Sequence, residues 1–268
     1  MPAADQIEMQ IDPLRLIDSH CHLDDPRFQC HPGRLLAAAQ QVGVSDIVLP
    51  ATTAASWPGI AEIAKNHPGV HAAYGLHPWF VDHHGDEAIN RLSRWLEGHP
   101  AVAIGECGLD FSRDNMAAQQ QLFAGQIELA QQTGLPLIVH AHRSLDKVIQ
   151  CLRGQPGING VVHRFAGSRQ QAEQLIERGF LIGVAAGITY PANKKLRCTM
   201  AALPLETLLL ESDAPDLPPQ GAPTDNAPEI NRPEWLPVTL TALAELLDES
   251  PAEIARRTTI NCRRLFNI

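Results

Sequence analysis

No apolar run in the 268 residues approaches the roughly 20 needed to cross a bilayer; the longest, such as Ala101-Val102-Ala103-Ile104 and Leu208-Leu209-Leu210, are only a few residues long. The N-terminal stretch from Met1 to Asp12 carries Asp5, Glu8 and Asp12, with neither a basic nor an apolar segment, so no export signal is read there and the cytoplasm is the expected compartment. The six cysteines, at 21, 30, 107, 151, 198 and 262, form no CxxC pair, which argues against a disulfide framework and a thiolate metal cluster. Cys21 and Cys107 flank suspected ligands, but alternation along a strand points them into the core. Basic charge is also scarce: 21 Lys and Arg against 30 Asp and Glu leave a net charge of −9. That argues against a surface built wholly as a nucleic-acid footprint, although bound divalent cations would add local positive charge. Aromatic residues, at 5%, are too few for a long stacking groove.

What is present is periodicity. From residue 14 onward, short apolar runs alternate with helical patterns in eight cycles. The runs are 14–22, 46–52, 70–78, 101–111, 136–143, 160–167, 180–187 and 207–215. Helices are expected at 32–42, 56–66, 86–97, 115–133, 144–152, 168–178, 192–202 and 229–247, with a short helix from Pro251 before a last one at 259–266. Strands that are apolar throughout, each followed by a helix, imply a parallel sheet covered on both faces. Eight such units predict a single (β/α)8 TIM barrel over residues 1–268, with residues 1–13 as an N-terminal extension. A proline-rich segment, 215–233, follows the eighth run, either over the barrel mouth or as a plain surface connection.

Reactive residues of such barrels gather at the C-terminal strand ends. His20 and His22 end the first run, two apart and so facing one side; Glu106 lies late in the fourth, His140 ends the fifth, His163 lies in the sixth and Asp213 ends the eighth. Taken alone, a histidine at a strand end can be an ordinary hydrogen-bonded core residue. A carboxylate inside an apolar strand is harder to explain, since it costs several kcal/mol unless paired or metal-bound. Nitrogen and oxygen donors without a thiolate cluster suit Zn²⁺, Mn²⁺, Fe²⁺ or Mg²⁺. Six ligands exceed what one catalytic ion with an open position uses, so two divalent metal ions are expected, with Glu106 as the natural bridge.

The motifs Asp18-Ser19-His20-Cys21-His22-Leu23-Asp24, Gly75-Leu76-His77-Pro78, Ile104-Gly105-Glu106-Cys107-Gly108-Leu109-Asp110-Phe111, Ile138-Val139-His140-Ala141-His142-Arg143, Val162-His163-Arg164-Phe165-Ala166-Gly167-Ser168 and Leu209-Leu210-Glu211-Ser212-Asp213-Ala214-Pro215 resemble, in order, the signatures of the TatD family. These are metal-dependent hydrolases and deoxyribonucleases on a barrel of the amidohydrolase superfamily. The resemblance implies His20, His22 and Asp213 at one metal, His140 and His163 at the other, and Glu106 touching both. It also implies phosphodiester hydrolysis on DNA, including 3′–5′ exonuclease action. Two motifs depart from the common pattern. Many relatives read His-Cys-Phe-Ser-Gly-Ser or His-Gly-Phe-Ser-Gly-Ser where this chain has Arg164 and Ala166, and His142 is an additional histidine. Arg164 could grip a phosphate or point into the helical layer; His142 could contact substrate or lie exposed in a loop.

The expected chemistry is metal-assisted attack of water on phosphorus, with Asp213 and Glu106 catalytic and His77, Arg143, Arg164 and His142 as substrate contacts. The expected substrate is DNA, at its ends or as short single strands, or a small phosphodiester; neither a membrane nor an obligate protein partner is expected. Trp79-Phe80 and Trp235 could stack a terminal base or simply pack internally. Hydrolysis of a small amide, ester or lactone is the rival. Many such enzymes bridge their metals through a carbamylated lysine, but Lys65, Lys147, Lys194 and Lys195 all fall in helical or loop segments.

Overall fold

Each apolar run is followed by a helix that returns the chain to the same edge, and the resulting pairing is parallel throughout. The computed structural model describes residues 15–85, 87–222 and 230–268; the expected extension 1–13 and part of the proline-rich segment lie outside the described residues. Eight strands pair in sequence order: β1 (Leu16–Asp18), β2 (Val44–Pro50), β3 (Val70–Tyr74), β4 (Ala103–Asp110), β5 (Leu137–His142), β6 (Gly160–Val162), β7 (Phe180–Val184) and β8 (Leu208–Leu210). Ser19 N donates to Leu210 O (3.0 Å) and His22 N to Ala214 O (2.8 Å), so the last strand meets the first and the (β/α)8 barrel nearly closes. The outer layer is α1 (Pro32–Gln41), α2 (Trp57–Asn66), α3 (Ala88–Gly98), α4 (Met116–Thr133), α5 (Leu145–Leu152), α6 (Arg169–Ile176), α7 (Lys194–Ala201) and α8 (Leu236–Leu247), with α9 (Pro251–Phe266) after it.

Two expectations change. The first, sixth and eighth runs pair over only three residues each, because the chain leaves the ladder early to hang side chains over the mouth. Arg164 (φ 45°) and Asp213 (φ 55°) are left-handed there, which no strand tolerates. The two short C-terminal helices are instead one 16-residue helix, α9, started by Ser250, whose hydroxyl accepts from Glu253 N (3.1 Å).

Ile17, Val48, Ala73, Ala103, Ile138, Val161 and Leu209, one from each of seven strands, pack into a single layer with Cys262 and Phe266 of α9, which plugs the barrel floor. The larger core fills the annulus between strands and helices, and both Cys21 and Cys107 are buried in it. The candidate ligands come two to five residues beyond the floor layer in sequence, at the C-terminal mouth.

Candidate metal centre

Glu106 lies midway along β4, yet it reaches the mouth because the β4–β5 register shifts between Ile104 and Cys107. Such a bulge re-aims the side chain it carries. Gly108 makes the crossing possible: at φ +125° it approaches β5 so closely that a Cβ would lie 2.1 Å from His140 O. Ala73→His77, Ile138→His140 and Val161→His163 follow their strands outward in the same direction, and the chain brings all of them onto one carboxylate.

Five imidazoles converge on Glu106, which is 2% exposed. His20 Nε2 and His22 Nε2 face Oε2 at 3.3 and 3.4 Å. His77 Nε2, His140 Nδ1 and His163 Nε2 face Oε1 at 3.0, 3.1 and 2.7 Å. Asp213 Oδ1 lies 3.7 Å from His20 Nε2. The groups His20/His22/Asp213, His20/Glu106/His163 and His77/Glu106/His140 each gather their donor atoms within 4.8 Å. All six residues read as ligands from the sequence are therefore in one cluster, joined by His77.

Hydrogen bonds separate the roles of these histidines. His77 Nδ1 accepts from Trp79 N (3.0 Å), so its proton sits on Nε2 and points at Glu106; a protonated nitrogen has no lone pair for a metal. His140 is the reverse. Its Nε2 faces Asp110 Oδ2 (3.0 Å), so a neutral His140 keeps its proton there and turns an Nδ1 lone pair toward Glu106 and His163. Asp110 is itself held by Ser112 N (2.9 Å) and Ser112 Oγ (2.5 Å). A carboxylate that orients a ligating histidine in this way is common behind metals.

A divalent cation fits this donor set. His20 Nε2 and His22 Nε2 lie 3.2 Å apart, as do His140 Nδ1 and His163 Nε2. Protons cannot satisfy all of these nitrogens and the surrounding carboxylate oxygens together. His20 Nδ1 and His163 Nδ1 are buried and have no hydrogen-bond partner among the described residues. Burial works against charge on Glu106, but His77, His163 and His20 outweigh it and hold the carboxyl well below its ordinary range. Burial opposes charge on His20 too, yet Glu106 and Asp213 raise it to about 9. Against the cost of desolvation, His140, partly exposed at the mouth, is raised to about 9 by Asp110 and Glu106. Burial, with His20 alongside, pushes His163 down to about 4. The carboxylates thus draw positive charge onto the cluster, as a cation site should.

The remaining candidates fall on different sides of the mouth. Arg164 turns toward the cleft: its Nη1 donates to Asp213 Oδ2 (2.9 Å) and its backbone N donates to Glu211 Oε1. His142 ends β5, exposed and on the cleft wall. Arg143, also exposed, is not among the residues that line the cleft. Trp235 is buried, whereas Trp79 is 43% exposed. Four supporting residues were not singled out from sequence. Asp110 is one. Asp18 Oδ1 accepts from His20 N (3.2 Å) and Ser212 N (2.8 Å), tying β1 to the Asp213 loop. Glu211 is buried beneath that loop, where burial lifts its carboxyl to about 8 despite His20. Asn231 Nδ2 donates to Ser212 O (2.6 Å), anchoring the same loop from near the end of the proline-rich segment. Asp110, Glu211 and Asp18 did signal themselves as carboxylates inside apolar runs; Asn231 carried no signal.

The cleft above the cluster encloses about 1080 Å³. Its carboxylates are Asp24, Asp25, Glu106, Asp110, Asp213 and Asp216, against the guanidinium groups of Arg27 and Arg164. Arg27 is occupied by Asp25 (2.8 Å) and Asp216 (2.6 Å).

Imidazoles and carboxylates turned inward at the mouth of a (β/α)8 barrel define a metal-dependent hydrolase. Residues 17–267 match the family model described as TatD related DNase, and the chain belongs to the TatD family. It is 42% identical, over 95% of this chain and 98% of the relative, to a protein of Escherichia coli (strain K12) named uncharacterized metal-dependent hydrolase YjjV. The solved structure of YJJV, a TatD homolog from E. coli K12, superposes with a TM-score of 0.89 at 40% identity, covering 96% of this chain and 100% of that one. A relative from Erwinia tasmaniensis named 3'-5' ssDNA/RNA exonuclease TatD is 31% identical over 94% of this chain and 100% of its own. No helix among the described residues is long and apolar enough to cross a membrane.

Proposed function

We propose that the protein is a phosphodiesterase of the deoxyribonuclease type, acting on DNA ends or short single strands through two divalent ions (Zn, Mn, Mg or Fe). The observation that carries this reading is the split of Glu106: Oε2 serves His20 and His22, while Oε1 serves His140 and His163. A carboxylate with separate histidines on each oxygen would suit two ions that share it. His20, His22 and Asp213 would hold one ion, His140 and His163 the other, with Glu106 shared. When bound, such ions supply Lewis acidity toward a phosphoryl oxygen and make water acidic near neutral pH.

The chain's own groups do the rest. Asp213, kept ionised by His163, His20 and Arg164 against the effect of burial, accepts the proton of the attacking water. Arg164, paired with Asp213 and nearly half exposed, offers its remaining N–H groups to non-bridging oxygens. His77 presents an N–H rather than a lone pair; that N–H rests on Glu106 in the structure and would pass to the phosphoryl or leaving oxygen once Glu106 is taken up by the ions. His142 is a further contact at the rim. With six carboxylates among the described residues of the cleft and both of its arginines engaged by aspartates, a long polyanion has little to grip; a terminal or short substrate fits better. The rival, hydrolysis of a small amide, ester or lactone, draws on the aliphatic wall of Ile188, Leu196, Met200 and Leu217 opposite.

The test is Glu106→Ala and Asp213→Ala on metal-loaded protein, assayed on single-stranded DNA. Both variants should keep the far-ultraviolet circular dichroism of the parent and lose metal-dependent turnover. Retained turnover in either would remove that residue from the chemistry.

A further inference from the structure

Three large apolar side chains, Val42, Trp79 and Met116, are exposed among the described residues, and of these only Trp79 lines the cleft. The other tryptophans pack internally: Trp57 and Trp235 are buried, and Trp95 is stacked on His99 at 3.6 Å. Trp79 is nonetheless well fixed. It sits in a 3-10 turn, Pro78–His83, whose first amide, Trp79 N, donates to His77 Nδ1 (3.0 Å). The Arg113 guanidinium lies 4.1 Å from the indole centroid. Asn115 Nδ2 donates to Asp82 Oδ1 (2.5 Å), clipping the loop after β4 to this turn. The result is a rigid aromatic surface at the rim, backed by a cation and open to the cleft.

Its location sets the distance to the chemistry. Trp79 is two residues from His77, so their Cα atoms are at most about 7 Å apart, and His77 Nε2 is 3.0 Å from Glu106. Phe80, the next residue, also lines the cleft, with its ring 6.0 Å from that of His77.

We propose that Trp79, with Phe80 and Arg113, forms a nucleobase subsite: the base of the nucleotide whose phosphate is cleaved at Glu106 stacks on the Trp79 indole. This rests on the phosphodiesterase reading and adds the substrate's base to it. A flat π-face held beside a guanidinium suits a planar aromatic ligand better than an alkyl chain, which the aliphatic wall across the cleft would accommodate. Stacking tolerates any base, so the subsite separates nucleotides from sugar phosphates without reading sequence. It also provides grip that the acidic cleft does not offer to a phosphate backbone.

The experiment compares the metal-loaded parent, Trp79→Ala and Trp79→Phe. Calorimetric titration uses dAMP and 2-deoxyribose 5-phosphate; turnover uses single-stranded DNA with an ordinary or an abasic 3′-terminal residue. The parent should bind dAMP roughly tenfold tighter than the sugar phosphate, Trp79→Ala should lose about that factor for dAMP alone, and Trp79→Phe should stay close to the parent. Equal binding of both compounds by the parent, or equal weakening of both in Trp79→Ala, overturns the subsite. Cleavage of DNA with no preference for a terminal base overturns it as well, while leaving the nuclease reading intact. Trp79-dependent dAMP binding without cleavage of any DNA would uphold the subsite and remove the nuclease reading.

Discussion

Removing the carboxylate of Asp110 should weaken metal binding without touching a ligand. In the structure Asp110 Oδ2 lies 3.0 Å from His140 Nε2, while Oδ1 is held by Ser112. The pair fixes the tautomer that turns His140 Nδ1 toward Glu106. Asp110→Asn keeps an oxygen able to accept from His140 but loses the negative charge. It also risks turning its amide donors toward the imidazole. Asp110→Ala removes the acceptor outright and frees Ser112. Supporting carboxylates of this kind are worth about 10- to 100-fold in metal affinity, roughly 1.4–2.7 kcal/mol. Asn should fall near the lower end and Ala near the upper. Calorimetric titration of the chelated protein with Mn²⁺ or Zn²⁺ reads this directly, and only the binding step that uses His140 should shift. An unchanged titration in Asp110→Ala would mean that His140 needs no fixed tautomer or is no ligand, and the role division among the histidines would fail with it.

Arg164→Gly should leave the melting temperature near that of the parent, since relief of a left-handed residue (about 1 kcal/mol) is offset by a freer unfolded chain (about 0.5–1 kcal/mol). The same change should raise KM on DNA about tenfold through loss of a charge-assisted contact, and an unchanged KM would remove Arg164 from the substrate. Gly108→Ala should cost more than about 3 kcal/mol or prevent folding, because its Cβ would strike the His140 carbonyl; a urea titration matching the parent would refute the close β4–β5 crossing. Asp46, despite burial, is held below its ordinary pKa by hydrogen bonds with His71 (3.0 Å) and Ser45 (2.6 Å). A carboxyl lowered in the folded state stabilises above its unfolded pKa, near 3.9. That contribution is lost as pH falls through the folded value. Asp46→Asn should therefore be about 1 kcal/mol less stable than the parent at pH 7, and the gap should close below pH 4.

The barrel and its six candidate ligands were readable in the sequence because both are local signals: apolar runs at regular intervals, and ligand-type residues at their ends. The strand ends were not. His163 and Asp213 lie beyond three-residue strands, since Arg164 and Asp213 leave the ladder in left-handed conformations that a hydrophobic pattern does not report. Asp110 lies in the motif at 104–111, but its task depends on a contact with a residue 30 positions away. Asn231, near the end of the proline-rich segment, reaches back to Ser212 in the same non-local fashion. His77 was expected to touch substrate, and the structure adds its bond to Glu106, set by the backbone amide of Trp79. Trp79 itself carried two readings, internal packing or a surface at the cleft. Only the fold, by burying Trp57 and Trp235 and leaving Trp79 open, separates them.

The most direct measurement is turnover on one panel of single-stranded DNA, RNA, duplex DNA, a small phosphodiester and a lactone. Protein stripped by chelation is compared with protein restored with Mg²⁺, Mn²⁺ or Zn²⁺, and bound metal is counted in each sample. The proposed sharing of Glu106 between two ions predicts two ions per chain and metal-dependent cleavage of single-stranded DNA. Turnover confined to the lactone, or DNA cleavage that survives complete metal removal, would contradict it.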